Sequence, residues 1–544
     1  MLSKSGWMVI KKGIIEPDAL GACWERRLTQ EQQIETQLNS KVIQRFDMIL
    51  TDALSMRASD IHIEVREGGT QFRFREDGEL IPYKPEMNLS REDGHNLCVV
   101  IYNVLATSKA VAFDERAYQQ GAVDRTVADT QVKLRYQSTP HHPYGYDVVL
   151  RVLPINKHER FTPLKDLGYG PGQIDDIESI IARPLGALII SGETGSGKST
   201  TLKNIMMLLG ERAQNRIKMT SIEDPPEYLI PGVTQIPVII GKDQDPNVSP
   251  FEAPIKACMR LDPDVIMIGE IRDQMTGNLA QKAIQSGHQV LTTLHTTSAM
   301  GNIERLIDLS LSPRVMGSPN FLNGLIYQRL LPILCRGCRI NLHQAIGAGA
   351  VLPEGVTQVA LVAVYKRIQK LLDQVSRILH IKKFGPNSRE TPRPLMIERL
   401  PLHIRGLGCP SCKGRGIRGR TVCAEVVRPD LEMMELIQNN QTLLLVKYWQ
   451  SLSDQDPFSN NMQGKTAMEH GFLKVAGGMI SPLDLEASFR PLDEMLPTYR
   501  SKRGSMVGEV WGDGATPTSA QGARSSAPDS HTPGGSVFDM PPMV

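Results

Sequence analysis

The chain is short of the features that mark several protein classes. Aromatic residues make up only 5% of its 544 positions, and the formal net charge is +2. That leaves little for stacking on bases or tracking a phosphate backbone, so no direct nucleic-acid partner is expected. No apolar run approaches a membrane span, so no transmembrane segment is expected. Met1–Lys12 holds no apolar stretch of the length a secretory signal needs. A cytoplasmic location follows, with work on a membrane partner left open. Cysteine is also sparse: eight residues in a chain this long do not make a disulfide scaffold.

What is present is an ordinary globular composition, 41% hydrophobic and 22% charged, in a chain long enough for about two to four domains. Residues 1–40 read as a short, mixed polar extension. From Val42 to Leu54 apolar residues recur at helical spacing. Asp60–Val65 and Gln71–Arg75 alternate like half-buried strands, with a turn signal at Asp77-Gly78. Val132–Tyr136 and Asp147–Val152 complete a small α/β domain over residues 41–157. Asn156–Gly172, rich in glycine, proline and charge, reads as a linker. Residues 158–334 then alternate strands (Ala187–Ile190, Ile217–Ile222, Val265–Ile268, Gln289–Leu294) with helices, one of them starting near Lys198. That alternation predicts a parallel sheet flanked by helices. A tetracysteine region with a long insert follows over 335–425, including a helical stretch at Leu361–Ile378. Residues 426–500 read as a C-terminal helical region. Residues 501–544, rich in Ser, Gly, Pro, Ala and Thr, read as a disordered tail.

Gly192-Glu-Thr-Gly-Ser-Gly-Lys-Ser199 fits the phosphate-binding loop G-x-x-x-x-G-K-[ST], with an apolar strand before it and a helix after it. Gly192, Gly195 and Gly197 let the backbone turn its N–H groups toward phosphate oxygens, with Thr194, Ser196 and Thr200 beside them. Lys198 should reach the β and γ phosphates of ATP, and Ser199 should hold Mg²⁺. Hydrolysis needs more than a cradle. Val265–Ile268 leads through Gly269 to Glu270, and Glu223-Asp-Pro-Pro-Glu227 also follows a strand. Both place carboxylates where a parallel sheet keeps its ligands. Glu270 could orient Mg²⁺ or polarise the attacking water, and Glu223 and Glu227 are candidates for the same work. His288 and His295 bracket a further strand, and a histidine at a strand end can sense the γ-phosphate.

Two C-x-x-C pairs, Cys335/Cys338 and Cys409/Cys412, could hold structural Zn²⁺ with four thiolates. About 70 residues separate the pairs, more than a compact zinc ribbon shows. Reduced thiols or a redox pair are the alternatives.

Together these motifs resemble the secretion ATPases of type II secretion and type IV pilus assembly, over roughly residues 40–490. Ser221–Tyr228 resembles the family's Asp box, Leu261–Asp273 its Walker B segment and Gly287–Thr297 its His box. Ala58–Glu64, Arg73–Gly78 and Gln328-Arg-Leu330 also fit. The resemblance implies a RecA-like ATPase domain preceded by a PAS-like α/β domain, assembled as a homo-hexamer. It implies nucleotide contacts from Arg135, Arg151 and Arg260. Lys256 stands where the family usually has a second arginine, and Met275–Gly277 where it often has Glu-Thr-Ala. Similar tetracysteine sites occur in assembly-type members and are missing from retraction-type ones. The implied function is a motor that extends a pilus or pseudopilus through an inner-membrane platform protein. Retraction, a type IV secretion motor and a DNA-translocating motor are the alternatives. The short N-terminus and long insert suggest a divergent branch, such as a conjugative thin pilus.

Overall fold

The computed structural model describes residues 39–108, 112–155, 160–238, 249–347, 349–385, 388 and 390–496. The expected tail and most of the expected N-terminal extension lie outside these residues, as does Cys23; residues 39–40 already belong to a helix that runs to 55.

Phe46, Ile49, Leu50 and Ala53 line one stripe of that first helix and pack on an antiparallel sheet. Its strands are β1 (Asp60–Arg66), β2 (Gly69–Glu76), β3 (Glu79–Pro82), β4 (Ala106–Ser108), β5 (Gln119–Val127), β6 (Thr130–Pro140) and β7 (Gly145–Ile155). They are ordered β3-β2-β1-β7-β6-β5-β4. Strict alternation sends Ile61, Ile63, Phe72, Phe74, Leu134, Tyr136, Val148 and Leu150 to one face. There they bury against the first helix and the helix Arg91–Val100. The other face is polar. In one row across four neighbouring strands stand Arg75, Asp60, Arg151 and Arg135.

The second sheet is built from β8 (Gly186–Ser191), β9 (Met219–Glu223), β10 (Val233–Pro237), β11 (Val265–Ile268), β12 (Gln289–Leu294) and β13 (Leu322–Leu334). A two-residue pair, β14 (Ile340–Asn341) with β15 (His403–Ile404), lies apart, and β16 (Ile417–Val427) returns to the large sheet. The order is β10-β9-β11-β12-β8-β13-β16, parallel except for β16. All six residues of β8 and of β12 are buried, as expected of strands covered on both sides by helices. One apolar cluster includes the helices Glu252–Cys258, Gln274–Gln285 and Gly301–Asp308. The other includes Pro171–Ile181 and Lys198–Arg212.

Three expectations shift. The linker Asn156–Gly172 is ordered over its described part: Leu164–Leu167 is helical and a second helix opens at Pro171. Leu164 and Tyr169 are buried, and their side chains hold the segment against the second sheet. The limits 335 and 425 do not follow the sheet either. β16 pairs with β13 from Leu325↔Val427 to Leu334↔Ile417, so the end of the tetracysteine region completes the ATPase sheet. Finally, the insert helix is longer than the apolar pattern indicates, Gln358–Phe384. Arg367 pairs with Glu486, and Lys370 with Asp493, which ties the helix to the C-terminal region.

Candidate nucleotide site and cysteine cluster

Residues 192–197 join β8 to the helix that opens at Lys198. Gly197 takes φ 85°, a left-handed turn that side chains resist, and the helix starts immediately after it. The Lys198 ammonium lies over the loop and donates to the carbonyls of Gly192 at 2.8 Å and Glu193 at 3.1 Å. Burial pulls its pKa down, opposed by the carboxylates of Glu270, Glu227 and Glu193.

Because β8, β9, β11 and β12 are parallel, their C-terminal ends share one edge, and the acidic motifs gather around the loop. Glu223 closes β9. Its Oε1 accepts from Ser221 Oγ at 2.6 Å and Gln235 Nε2 at 3.0 Å. Burial raises its pKa, and these two donors oppose the rise. Glu270 follows β11 on a short segment held from both sides. Gly269 N–H donates to Ile222 O at 2.8 Å, and Thr293 Oγ1 donates to Gly269 O at 2.7 Å. The Glu270 carboxylate accepts from Arg272 Nε at 2.9 Å and lies 3.4 Å from His295 Nε2. Arg272 in turn reaches Asp224 at 3.7 Å. Burial and the nearby Lys198 hold His295 below its ordinary pKa, against the pull of Glu270. The ring is therefore mostly neutral at neutral pH. Thr200 Oγ1 and Tyr228 OH share a hydrogen bond of 3.0 Å.

These groups line a cleft of about 790 Å³ whose opposite wall is the polar face of the first sheet. Thr194–Thr200, Glu223, Glu227, Glu270 and His295 stand on one side; Asp60, His62, Arg75, Arg135 and Arg151 stand on the other. Asp60, 6% exposed, holds the arginine row: its carboxylate accepts from Arg151 Nε at 3.1 Å and lies 3.9 Å from Arg75 Nε. The cleft suits a triphosphate, with a lysine and helix N-terminus on one side and guanidinium groups on the other. The oxygen donors Ser199, Glu223, Glu227 and Glu270 fit Mg²⁺, a hard ion that would neutralise phosphate charge there.

Two candidate residues lie elsewhere. Arg260 is exposed, beyond the helix Glu252–Cys258 and before β11, and so at the opposite edge of the sheet from the loop. Lys256 pairs with Glu252 on that helix. His288 precedes β12 at that same distant edge, and its Nδ1 lies 3.0 Å from Ala283 O. Conversely, the cleft holds residues with no assignment from sequence. Asp60, His62 and Arg75 sit in alternating strands whose polar face could have been read as a set. Arg272 lies within the segment around Glu270. Arg420 at the start of β16 had no local signal; its Nη1 donates to Gly195 O at 3.4 Å.

The cysteine pairs meet because β13 and β16 are neighbours. Cys335 follows the end of β13 and Cys412 shortly precedes β16, so the two knuckles close on each other while the insert loops out. The four Sγ atoms lie within 4.8 Å of one another. The pairs Cys335–Cys409, Cys338–Cys412 and Cys409–Cys412 stand at 3.7, 3.7 and 3.8 Å. Tetrahedral zinc at the usual Zn–S length of about 2.3 Å sets its sulfurs roughly 3.8 Å apart. The donor set therefore fits Zn²⁺. Gly416, at φ 70°, donates its N–H to Cys412 Sγ at 3.1 Å, and Cys409 N–H does so at 3.2 Å. The thiols of Cys98, Cys258 and Cys423 are buried and pushed up to about 12, 11 and 11.

The knuckle also touches the first domain. Arg415 reaches Glu76 at 2.8 Å and Asp77 at 2.9 Å, and Arg405 reaches Glu79 at 2.5 Å. Glu76, Asp77 and Glu79 form the turn between β2 and β3. Burial raises the Glu76 pKa and Arg415 opposes it.

A phosphate loop, acidic strand ends and the arginines of a second domain, all on one cleft, define a P-loop nucleotide-binding protein with an interdomain site. The chain belongs to the type II/IV secretion system protein family, whose model matches residues 35–477. It is 32% identical over 363 residues to the type II secretion system protein HxcR of Pseudomonas aeruginosa, covering 66% of this chain and 73% of that protein. It is 29% identical over 458 residues to the type IV pilus assembly ATPase PilB of Thermus thermophilus, covering 84% of this chain and 44% of that one. Its fold is similar to that of the ATPase DotB of Legionella pneumophila, with a TM-score of 0.52 and 19% identity over 81% of this chain and 94% of the other. Among the described residues no helix is long and apolar enough to cross a membrane.

Proposed function

We propose that this ATPase of the secretion family works as a homo-hexamer that powers extension of a type IV pilus or a type II secretion pseudopilus. The observation that carries the reading is the cleft, in which Lys198 and Glu270 of one domain face Arg135 and Arg151 of the other. Arginines that cross a domain gap to a γ-phosphate make closure depend on nucleotide state. ATP would bring the domains together, and loss of the γ-phosphate would release them. Glu270 orients or deprotonates the attacking water, with Glu223 and Glu227 as supporting carboxylates and His295 beside them. The strokes would act on an inner-membrane platform protein from the cytoplasmic side. The antiparallel sheet with two helices on one face supports a PAS-like first domain. The names of the relatives favour secretion or pilus assembly, and the four-cysteine cluster favours extension over retraction.

Deletion in the host tests the assignment. Loss of surface pili, or of a secreted enzyme set, is expected, and complementation should restore it; a branch serving conjugation would instead lose mating in liquid. Unchanged piliation, secretion and mating would refute the proposal. The metal reading has its own check. We expect about one zinc per chain, lost in Cys409→Ser together with thermal stability. A metal-free protein that melts like the wild type would remove zinc from the account.

A further inference from the structure

We propose that Gln328 is a positioning residue for ATP binding: its buried amide pins the phosphate loop so that the Gly197 N–H faces the ligand. The proposal rests on residues 192–199 being a phosphate site, and goes beyond that reading by assigning a residue of another strand to its geometry.

Gln328 lies on β13, beside β8, and is wholly buried. Its Nε2 donates to the Ser196 carbonyl at 2.7 Å. Its Oε1 accepts from Tyr169 OH at 2.6 Å and Thr201 Oγ1 at 3.0 Å. A carbonyl can only accept, so the amide nitrogen must face Ser196, and that fixes the amide's orientation. The peptide linking Ser196 to Gly197 is planar and trans, so its C=O and N–H point in opposite directions. Drawing the Ser196 carbonyl back onto β13 therefore turns the Gly197 N–H outward, toward the cleft. The contact is close. A Cβ added at Gly192 would stand 2.3 Å from the main-chain carbonyl oxygen of Gln328, and one at Gly197 would stand 3.2 Å from its side-chain amide nitrogen. Thr201 belongs to the first turn of the helix after the loop, so the same amide also fixes the helix start against the loop. The side chain makes three hydrogen bonds, to the loop, its helix and the segment that leads in from the first domain. All three are shielded from water, where a lost partner costs most.

The test is binding of Mg²⁺-ATPγS to the full chain across pH, with thermal denaturation of each variant. Gln328→Glu keeps both accepted hydrogen bonds but sets a carboxylate oxygen against the Ser196 carbonyl. At about pH 8.5 its dissociation constant should exceed that of the wild type by about tenfold or more. The ratio should shrink as pH falls, because the protonated acid regains a donor. Gln328→Met should bind weakly with a ratio that does not depend on pH. A purely structural role would lower the melting temperature yet leave the Gln328→Glu ratio flat. Affinity equal to the wild type at high pH, or a flat ratio, would overturn the proposal. Failure of the wild type itself to bind would overturn the phosphate-site reading underneath it.

Discussion

Lys198→Ala should yield a folded chain that turns over ATP at least about 10²–10³-fold more slowly, the cost of removing one preorganised donor to transition-state charge. Lys198 is the one side chain of the 192–199 motif that brings a full positive charge to the cleft. Its ammonium already lies at the mouth of the loop, donating to the Gly192 and Glu193 carbonyls. Among the described residues no other lysine lines the cleft to take its place. Alanine also removes a partly desolvated cation, so the folded state loses little. Phosphate release measured alongside a melting curve checks both statements. Turnover within a few-fold of wild type would sink the assignment of the loop.

Glu270→Gln should separate binding from chemistry. The carboxylate is fixed by Arg272 and faces His295, so the amide can fill the same space and keep the cleft intact. It cannot accept a proton from water. A loss of about 10²–10⁴-fold in kcat is expected for a missing general base, with nucleotide affinity unchanged or tighter. Single-turnover hydrolysis and nucleotide titration read the two effects apart. A normal rate would transfer the catalytic role to Glu223 or Glu227, both in the same cleft.

How much of this was legible in the sequence depends on how local each feature is. The phosphate loop is contiguous, and its strand-loop-helix setting can be read from neighbours alone. Glu223 and Glu270 follow from apolar runs that end in a carboxylate, once parallel strands are expected. Arg135 and Arg151 needed the family likeness, yet strand alternation already puts them on a polar face. Arg420 had no such route: it reaches Gly195 because β16 crosses the chain to lie beside β13. The 70-odd residues between the cysteine pairs hid that crossing, and for the same reason β16 was expected outside the ATPase sheet. The helix Arg91–Val100 opens with polar residues and shows its buried Leu97, Cys98 and Val100 only at the end. Arg260 shows the reverse case, a match of motif whose place in the chain, ahead of β11, puts it at the far edge from the loop of its own chain.

Arg415 sits three residues beyond Cys412, and its two ion pairs end on the β2–β3 turn. The turn and the knuckle are over 300 positions apart in the chain, yet they are matched by charge. A change of charge on one side therefore leaves the other without its partner. A chimera that takes its first domain from one relative and its cysteine module from another would put unlike partners across this seam. Glu76 would then keep its burial without its counter-ion. The cysteine module is thus a fitting between two parts as much as a fold of its own.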